Sequence, residues 1–280
     1  MKEEEEIYKR EDIKALYSSS HITPPEVTEL SLRQCVYLLS VLSHSVSEDL
    51  VVCHPYKRMQ TSLTPEHKFT HEIVMALRDN KLLAVSNTSD PEAFVYDTDG
   101  ELLYYPAKVD WLVLPNLPQS ERNTYIKNVR KWLEEMSSDE SSLQEANELW
   151  IDIVEAEAIE YYCHKTSEIG YSLEKVGAKT REVMRSLSTE IPLSRIYHVI
   201  FSAVKNTLHF IESRGIPKYK AKNMFIGGIE RTFERYDANG WLKDFGRDFN
   251  CNQTPVSAVF FNKVQGLGDR YFTSFPPTLM

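Results

Sequence analysis

The chain has little of what marks secreted, membrane-spanning or disulfide-stapled proteins. Its four cysteines, Cys35, Cys53, Cys163 and Cys251, lie far apart and form no C-x-x-C pair, so free thiols in a reducing compartment are predicted. No apolar run approaches the roughly 20 residues that cross a bilayer. The first residues are acidic, whereas a signal peptide begins with basic ones. We therefore expect a cytoplasmic protein without membrane contact.

Motifs of common catalytic and cofactor sites are missing as well. The chain has no Gly-rich phosphate loop, and the G-L-G at residues 266–268 is followed by no predicted helix. It also has no G-x-S-x-G elbow. His67 and His71 could share a metal ion with Glu72 or His44, but a methionine occupies position 75, where a zinc-protease motif has its second histidine. We predict no metal and no cofactor.

Charge is distributed unevenly along the 280 residues. The formal net charge is −9, yet the part from Arg195 onward carries 12 Lys and Arg against 7 Asp and Glu, a net of +5 that leaves −14 for the rest. The acidic part disfavours non-specific binding to a duplex. The basic part favours anion binding, and mutual attraction between the two parts is the alternative.

Hydrophobic periodicity predicts an α+β chain that is mainly α. Residues 1–29 form a polar tail with a short helix, 30–118 a mixed module and 119–280 a helical domain. In the module we predict helices at 32–44 and 65–80, strands at 50–53, 82–85 and 111–114, and a hairpin at 94–105 whose turn ends in Asp-Gly.

This order of elements resembles a winged helix-turn-helix over residues 30–114. The resemblance implies that the helix before the hairpin reads the major groove of DNA. Acidic residues on this helix and on the wing would repel phosphate, so protein binding by the same module is the alternative. The candidate DNA contacts on the helix are His67, Lys68, His71 and Arg78.

Basic and aromatic residues alternate between Ile216 and Gln265. The pattern predicts a helix at 218–236, in which Gly227-Gly228 indicates either a close approach of another helix or a kink. Gly240 is a suitable left-handed cap after it. Pro255 then opens a further helix that extends to 264.

Two interpretations of this stretch remain open. In the first, the cations pair with phosphates, and Trp241, Phe245 or Phe249 stacks on a base. In the second, the aromatics fill the core, and interspersed carboxylates at 230, 234, 237, 244 and 248 neutralise the cations. The candidate nucleic-acid contacts here are Arg231, Arg235, Trp241, Lys243 and Arg247.

An enzyme acting on a phosphate ester or a nucleotide is the alternative function. A predicted helix at 193–213 carries His198 and His209 on a polar face, and the pKa of an unperturbed histidine suits acid–base work near neutrality. Arg235 and Arg247 would bind the phosphate in such an enzyme. No local sequence pattern selects a catalytic pair, so a non-enzymatic protein is favoured.

Five short segments are similar to a helical region of uncharacterised bacterial proteins, over roughly the last hundred residues. That family supplies no activity. We expect a non-enzymatic regulatory or adaptor protein that binds nucleic acid or a protein partner, and a homodimer is expected because winged-helix proteins often pair. The similar segments are K-T-R-E-V at 179–183, I-Y-H-V-I at 196–200, R-Y at 235–236, G-W at 240–241 and R-D-F-N-C at 247–251.

Overall fold

The protein is mainly helical with a small antiparallel sheet, so the predicted α+β, mainly α class is confirmed. The structure is a computed structural model that describes residues 2–44, 46–58, 62–137, 139, 142–173, 175–221 and 223–277. The chain divides into two compact units, Met1–Ser142 and Leu143–Met280. In the described ranges, no helix has the length and apolar character needed to cross a bilayer.

The first unit combines helices with five short strands. Strands β1 (Val52–Cys53), β5 (Trp111–Val113) and β2 (Leu83–Val85) form one antiparallel sheet in that order. Strands β3 (Phe94–Tyr96) and β4 (Leu102–Tyr104) form a separate hairpin. Gly100, with φ of +81°, closes the predicted Asp-Gly turn of the hairpin. The elements are α1 (Lys2–Leu16), α2 (Leu32–His44), β1 (Val52–Cys53), α3 (His67–Asp79), β2 (Leu83–Val85), β3 (Phe94–Tyr96), β4 (Leu102–Tyr104), β5 (Trp111–Val113) and α4 (Gln119–Ser137).

Helix α2 lies at the centre of this unit and packs against α3 and α4. The compact unit includes α4 and ends at Ser142. Helix α3 begins at His67, two residues later than its Pro65 suggested. Thr70 of α3 is buried, and its hydroxyl is hydrogen-bonded to that of Thr64 at 2.8 Å.

The helix of the acidic N-terminal segment, α1, is longer than predicted, and the segment is hydrogen-bonded to the hairpin. The ammonium of Lys9 donates to the carbonyl of Phe94 at 2.7 Å, and the Tyr17 hydroxyl donates to the carbonyl of Leu102 at 2.7 Å. Ile13 between them is only 1% exposed. Helix α1 therefore covers one side of β3 and β4.

The second unit is built around one long helix, α7 (Leu193–Arg214). It packs against α5 (Leu143–Glu168) and α9 (Met224–Ala238). Gly215, with φ of +61°, ends α7 as predicted. The elements of this unit are α5 (Leu143–Glu168), α6 (Ala178–Glu190), α7 (Leu193–Arg214), α8 (Lys218–Ala221), α9 (Met224–Ala238) and α10 (Pro255–Ser257), followed by a π-helical stretch (Ala258–Val264) and a 3-10 turn (Gly268–Thr273).

Helices α7 and α9 approach each other at Gly228. A Cβ atom placed on Gly228 would lie 2.4 Å from the Oγ1 atom of Thr207, which is well inside contact distance. The close approach predicted at the glycine pair is therefore confirmed. The predicted helix at 218–236 is divided into α8 and α9.

Candidate nucleic-acid interface

An open groove of about 960 Å³ runs between α7 and α9. Three of the predicted nucleic-acid contacts, Arg231, Arg235 and Trp241, line it. Ligand sites commonly occupy about 300–1,000 Å³, so the groove is at the upper end of that range. The structure therefore brings together in one groove three residues that the sequence could place only on the same segment, 216–265.

The arginines of the groove have no carboxylate partner. Arg231, Arg235 and the neighbouring Lys243 make no ion pair with any carboxylate in the described ranges. Three of the five interspersed carboxylates pair instead with cations from other parts of the unit. Those pairs are Lys179–Glu230 at 2.6 Å, Arg195–Asp244 at 3.4 Å and Lys165–Asp248 at 2.7 Å.

Aromatic rings stand beside these cations. Trp241 is 51% exposed and Phe210, on the α7 side, is 46% exposed. The ring of Tyr236 lies 6.0 Å from that of Trp241 at an interplanar angle of 73°, and the guanidinium of Arg235 lies 5.3 Å from the centre of the Tyr236 ring. Cations and aromatic faces together are the combination that single-stranded nucleic acids bind.

The orientation of Trp241 follows from the end of α9. Gly240 has a φ of +65°, a left-handed conformation that costs a glycine little. The turn brings the backbone N–H of Trp241 to the carbonyl of Tyr236 at 2.8 Å. The indole is therefore held at the groove by backbone geometry and not by burial.

The loop after Trp241 is attached to the first turns of α7. The backbone N–H of Lys243 donates to Nδ1 of His198 at 3.3 Å, and that of Phe245 donates to the carbonyl of Ser194 at 3.2 Å. Burial, followed by the charge of Lys243, lowers the pKa of His198. The neutral ring can accept this hydrogen bond, so the loop is positioned before any ligand arrives.

The residues of the enzymatic alternative are not brought together. Arg235 lines the groove, but His198, His209 and Arg247 do not. His209 is exposed, and His198 is engaged by the loop. In the described residues, no group of three or more His, Cys, Asp or Glu side chains is placed to hold a metal ion.

Arg247 lies in a separate, buried cluster. Its guanidinium donates to Glu157 at 3.0 Å and to the carbonyl of Cys251 at 3.0 Å, and Glu157 is completely buried. The Tyr271 hydroxyl also donates to Glu157, at 2.9 Å. Arg247 was predicted to bind phosphate, but its charge is used here to neutralise Glu157. A buried carboxylate requires such a partner.

Glu160, one helical turn from Glu157, has no such partner. Its Oε2 atom is buried and accepts no hydrogen bond from any described residue. Burial and the negative charge of Glu157 raise the pKa of Glu160 to about 7, against the opposing charge of Arg247. Arg247 is therefore paired directly with Glu157, and its charge only partly offsets the raised pKa of Glu160.

Three of the four predicted DNA contacts on α3 have local partners. Lys68 pairs with Glu72 at 3.3 Å. Arg78 pairs with Asp79 at 2.6 Å and donates to the Tyr104 hydroxyl at 2.7 Å. Among the other two, His71 hydrogen-bonds to the Tyr56 hydroxyl at 3.0 Å and His67 is exposed. The cations of α3 are thus already neutralised, unlike those of the groove.

Sequence reasoning missed the floor of the groove. Thr207 and Thr232 line it although they are only 7% and 4% exposed. Neither hydroxyl forms a hydrogen bond with another described residue. The available signal was Thr207 itself, a hydroxyl within the apolar stripe of α7. The described contacts include no hydrogen bond from this hydroxyl back to its own helix.

Comparisons of this chain with protein-family models, curated protein sequences and solved structures give no match.

Proposed function

We propose that this chain is a non-enzymatic adaptor or regulatory protein that binds nucleic acid through the groove between α7 and α9. One observation carries the proposal: Arg231 and Arg235 line the groove without a carboxylate partner, beside the exposed ring of Trp241. An arginine can bind a phosphate through two parallel N–H groups. The salt bridges that would compete with phosphate are absent from the described surroundings of these two side chains.

Among the described residues, the groove is lined by two cations, Arg231 and Arg235, and by no carboxylate. Electrostatic attraction between exposed groups fades over about 8 Å at physiological ionic strength. Phosphates at the groove therefore interact mainly with the nearest charges, the cations Arg231, Arg235 and Lys243 and the carboxylates of Glu234 and Asp237 on α9. Acidic groups elsewhere limit binding outside the groove, which favours a local contact over coating of a duplex.

The first unit has a different part in this proposal. The order α2, β1, α3, β2, hairpin and β5 supports a winged-helix interpretation. The cations of α3 are paired, so we assign the nucleic-acid contact to the groove and protein binding to the wing module. Regulatory work in a bacterial cytoplasm, and pairing as a homodimer, belong to the same proposal.

Fluorescence anisotropy with labelled oligonucleotides tests the proposal. The full chain is titrated into mixed-sequence single-stranded DNA, RNA and duplex DNA at two salt concentrations. Three phosphate contacts predict a log–log salt slope of about −2 for a single strand, so a fourfold rise in salt should weaken binding about 20-fold.

The double variant Arg231→Ala with Arg235→Ala should weaken binding at low salt about 10-fold or more and reduce the salt slope to about −0.7. Lys263→Ala removes an exposed cation outside the groove and is the matched control. The proposal fails if wild-type protein binds none of the nucleic acids at low salt. It also fails if the double variant and the control bind alike.

A further inference from the structure

The polar groups at the floor of the groove are recessed. Thr207 and Thr232 are more than nine-tenths buried, yet both line the groove, and their hydroxyls have no hydrogen-bond partner in the described part of the chain. A hydroxyl is both a donor and an acceptor. Neither hydroxyl oxygen is among the fully buried unpartnered atoms of the described residues, so both are open to polar groups at the edge of a ligand. Asn206 adds an amide at the rim.

The walls of the groove are aromatic and partly exposed. Phe210 comes from α7, whereas Tyr236 and Trp241 come from the end of α9 and the loop behind it. Exposed rings of this size on a monomer commonly mark a binding surface. Rings on both sides and hydroxyls at the floor favour a flat ligand that is polar along its edge.

Two cations accompany the rings and the hydroxyls in the lining of the groove. Arg231 and Arg235 line the groove together with the floor and wall residues, and both are exposed. The guanidinium of Arg235 lies over the ring of Tyr236, so its direction is partly set before binding. A planar base followed by a phosphate has this distribution of chemistry.

A base-paired duplex does not fit this arrangement. In a duplex both faces of each base are covered by neighbouring bases, and the edges can be reached only by side chains that project into a DNA groove. Thr207 and Thr232 do not project. An unstacked base of a single strand, by contrast, can enter a recess and stack on an aromatic ring.

We propose that the groove takes one unstacked base of a single-stranded nucleic acid, with its ring against Trp241 and its polar edge on Thr207 and Thr232, while Arg231 and Arg235 hold the flanking phosphates. This inference rests on the proposed function and narrows it from nucleic acid in general to single strands with an accessible base. Deoxyribose and ribose strands share the chemistry in question, and the experiment includes both.

The deciding comparison is between a 12-nucleotide single strand and an abasic strand of equal length and charge. Anisotropy titrations of the full chain use the DNA and RNA forms, the abasic DNA and a duplex. The base-containing strands should bind about 10-fold or more tightly than the abasic strand. Trp241→Ala should bring the affinity for the base-containing strand to within about twofold of the abasic one.

Two further variants test the hydroxyl at the floor of the groove and an exposed ring outside the groove. Thr232→Val keeps the shape of the side chain and removes its hydroxyl, so it should weaken binding of base-containing strands about 5–10-fold and leave the abasic strand unchanged. Phe249→Ala removes a ring that is 83% exposed but does not line the groove, and it should bind as the wild type does.

Tryptophan fluorescence gives an independent readout of stacking. Trp111 and Trp150 are at most 2% exposed and Trp132 is partly buried, whereas Trp241 is 51% exposed. Addition of the base-containing strand should quench the emission, and Trp241→Phe should abolish that quenching while the protein stays folded. Circular dichroism of each variant confirms folding.

The outcomes distinguish the insertion of a base into the groove from the proposed binding of nucleic acid in general. Equal affinity for base-containing and abasic strands overturns the inserted base but leaves phosphate binding at the groove intact. Duplex affinity equal to or above that of the single strand also overturns it, as does base-dependent binding that Trp241→Ala leaves unchanged. Absence of all binding overturns the proposed function itself. Binding of either the DNA or the RNA strand in the expected pattern supports the inference, and their ratio identifies the sugar preferred.

Discussion

Arg235 and Arg247 come from one predicted basic stretch, and their surroundings give them opposite tasks. Arg235 is exposed and lines the groove. Arg247 pairs with Glu157, which has no solvent exposure. We expect Arg247→Ala to lower the free energy of unfolding by about 3–5 kcal/mol, because it leaves an uncompensated buried carboxylate. Urea denaturation followed by circular dichroism measures the change.

A surface pair provides the control for this prediction. Arg185 contacts Asp152 and Glu155 but is 49% exposed, so Arg185→Ala should cost about 1 kcal/mol or less. Replacing both members of the buried pair, as Glu157→Met with Arg247→Met, should recover most of the stability lost in Arg247→Ala. A loss below about 1 kcal/mol in Arg247→Ala would show that the pair does not hold this region.

Glu160 makes stability depend on pH. Its pKa in the folded protein, about 7, is above the ordinary value of 4.5, so the folded state binds the proton more tightly than the unfolded chain. The stabilisation is complete below pH 4.5 and is lost as the pH rises through 7. We expect the unfolding free energy to fall by an amount on the order of 2 kcal/mol between pH 5 and 8 because of this group.

Glu160→Gln should remove that component and unfold at a higher urea concentration than wild type at pH 8. Glu148, exposed on the same helix, supplies the matched substitution. Glu148→Gln should retain the wild-type dependence on pH. Identical curves for wild type and Glu160→Gln across this range would contradict the prediction.

At the scale of elements, two adjacent glycines of α9 should respond in opposite ways to alanine. A Cβ on Gly227 would lie 3.4 Å from a terminal nitrogen of Arg231, which is flexible, so Gly227→Ala should stabilise by about 0.5–1 kcal/mol. A Cβ on Gly228 would lie 2.4 Å from Thr207 Oγ1, so Gly228→Ala should destabilise by about 1–3 kcal/mol. Thermal unfolding of the two variants checks both signs.

The cause of the Gly228 effect can be isolated with a second substitution. Once Thr207→Ala has removed the hydroxyl, the nearest remaining atoms to the added Cβ are the Cβ of residue 207 at 3.7 Å and the carbonyl oxygen of Ala203 at 3.8 Å. Adding Gly228→Ala to Thr207→Ala should therefore cost less than about 0.5 kcal/mol. A full additional loss would place the strain elsewhere.

Individual elements were predictable where the local pattern was strong. The hairpin with its Asp-Gly turn and the long helix α7, capped at Gly215, are confirmed. The division of the 218–236 segment into α8 and α9 was not predictable, because the apolar period continues across it while Ala221 becomes completely buried by tertiary contact. The π-helical turn after Ser257 has no period of its own in the sequence.

For the whole molecule, the sequence predicted which part is basic but not which cations remain available. Arg247 pairs with Glu157, which is 90 residues away in the sequence, and Arg195 pairs with Asp244, which is 49 residues away. Such pairings depend on how helices pack, and nothing in the local alternation of charges encodes them. The groove residues Arg231, Arg235 and Trp241 were predicted, whereas its recessed threonines became visible only once α7 and α9 were in place.

The attachment of α1 to the hairpin affects how the protein must be handled. Its charge and position make α1 an obvious segment to remove when the chain is shortened for expression. Removal would leave the carbonyls of Phe94 and Leu102 without their donors and uncover a two-stranded hairpin, a unit that is marginal alone. Val95 and Leu103 are already exposed there. Shortened chains should therefore aggregate through open strand edges, and covering this strand pair would be an effect of the acidic helix in addition to that of its charge.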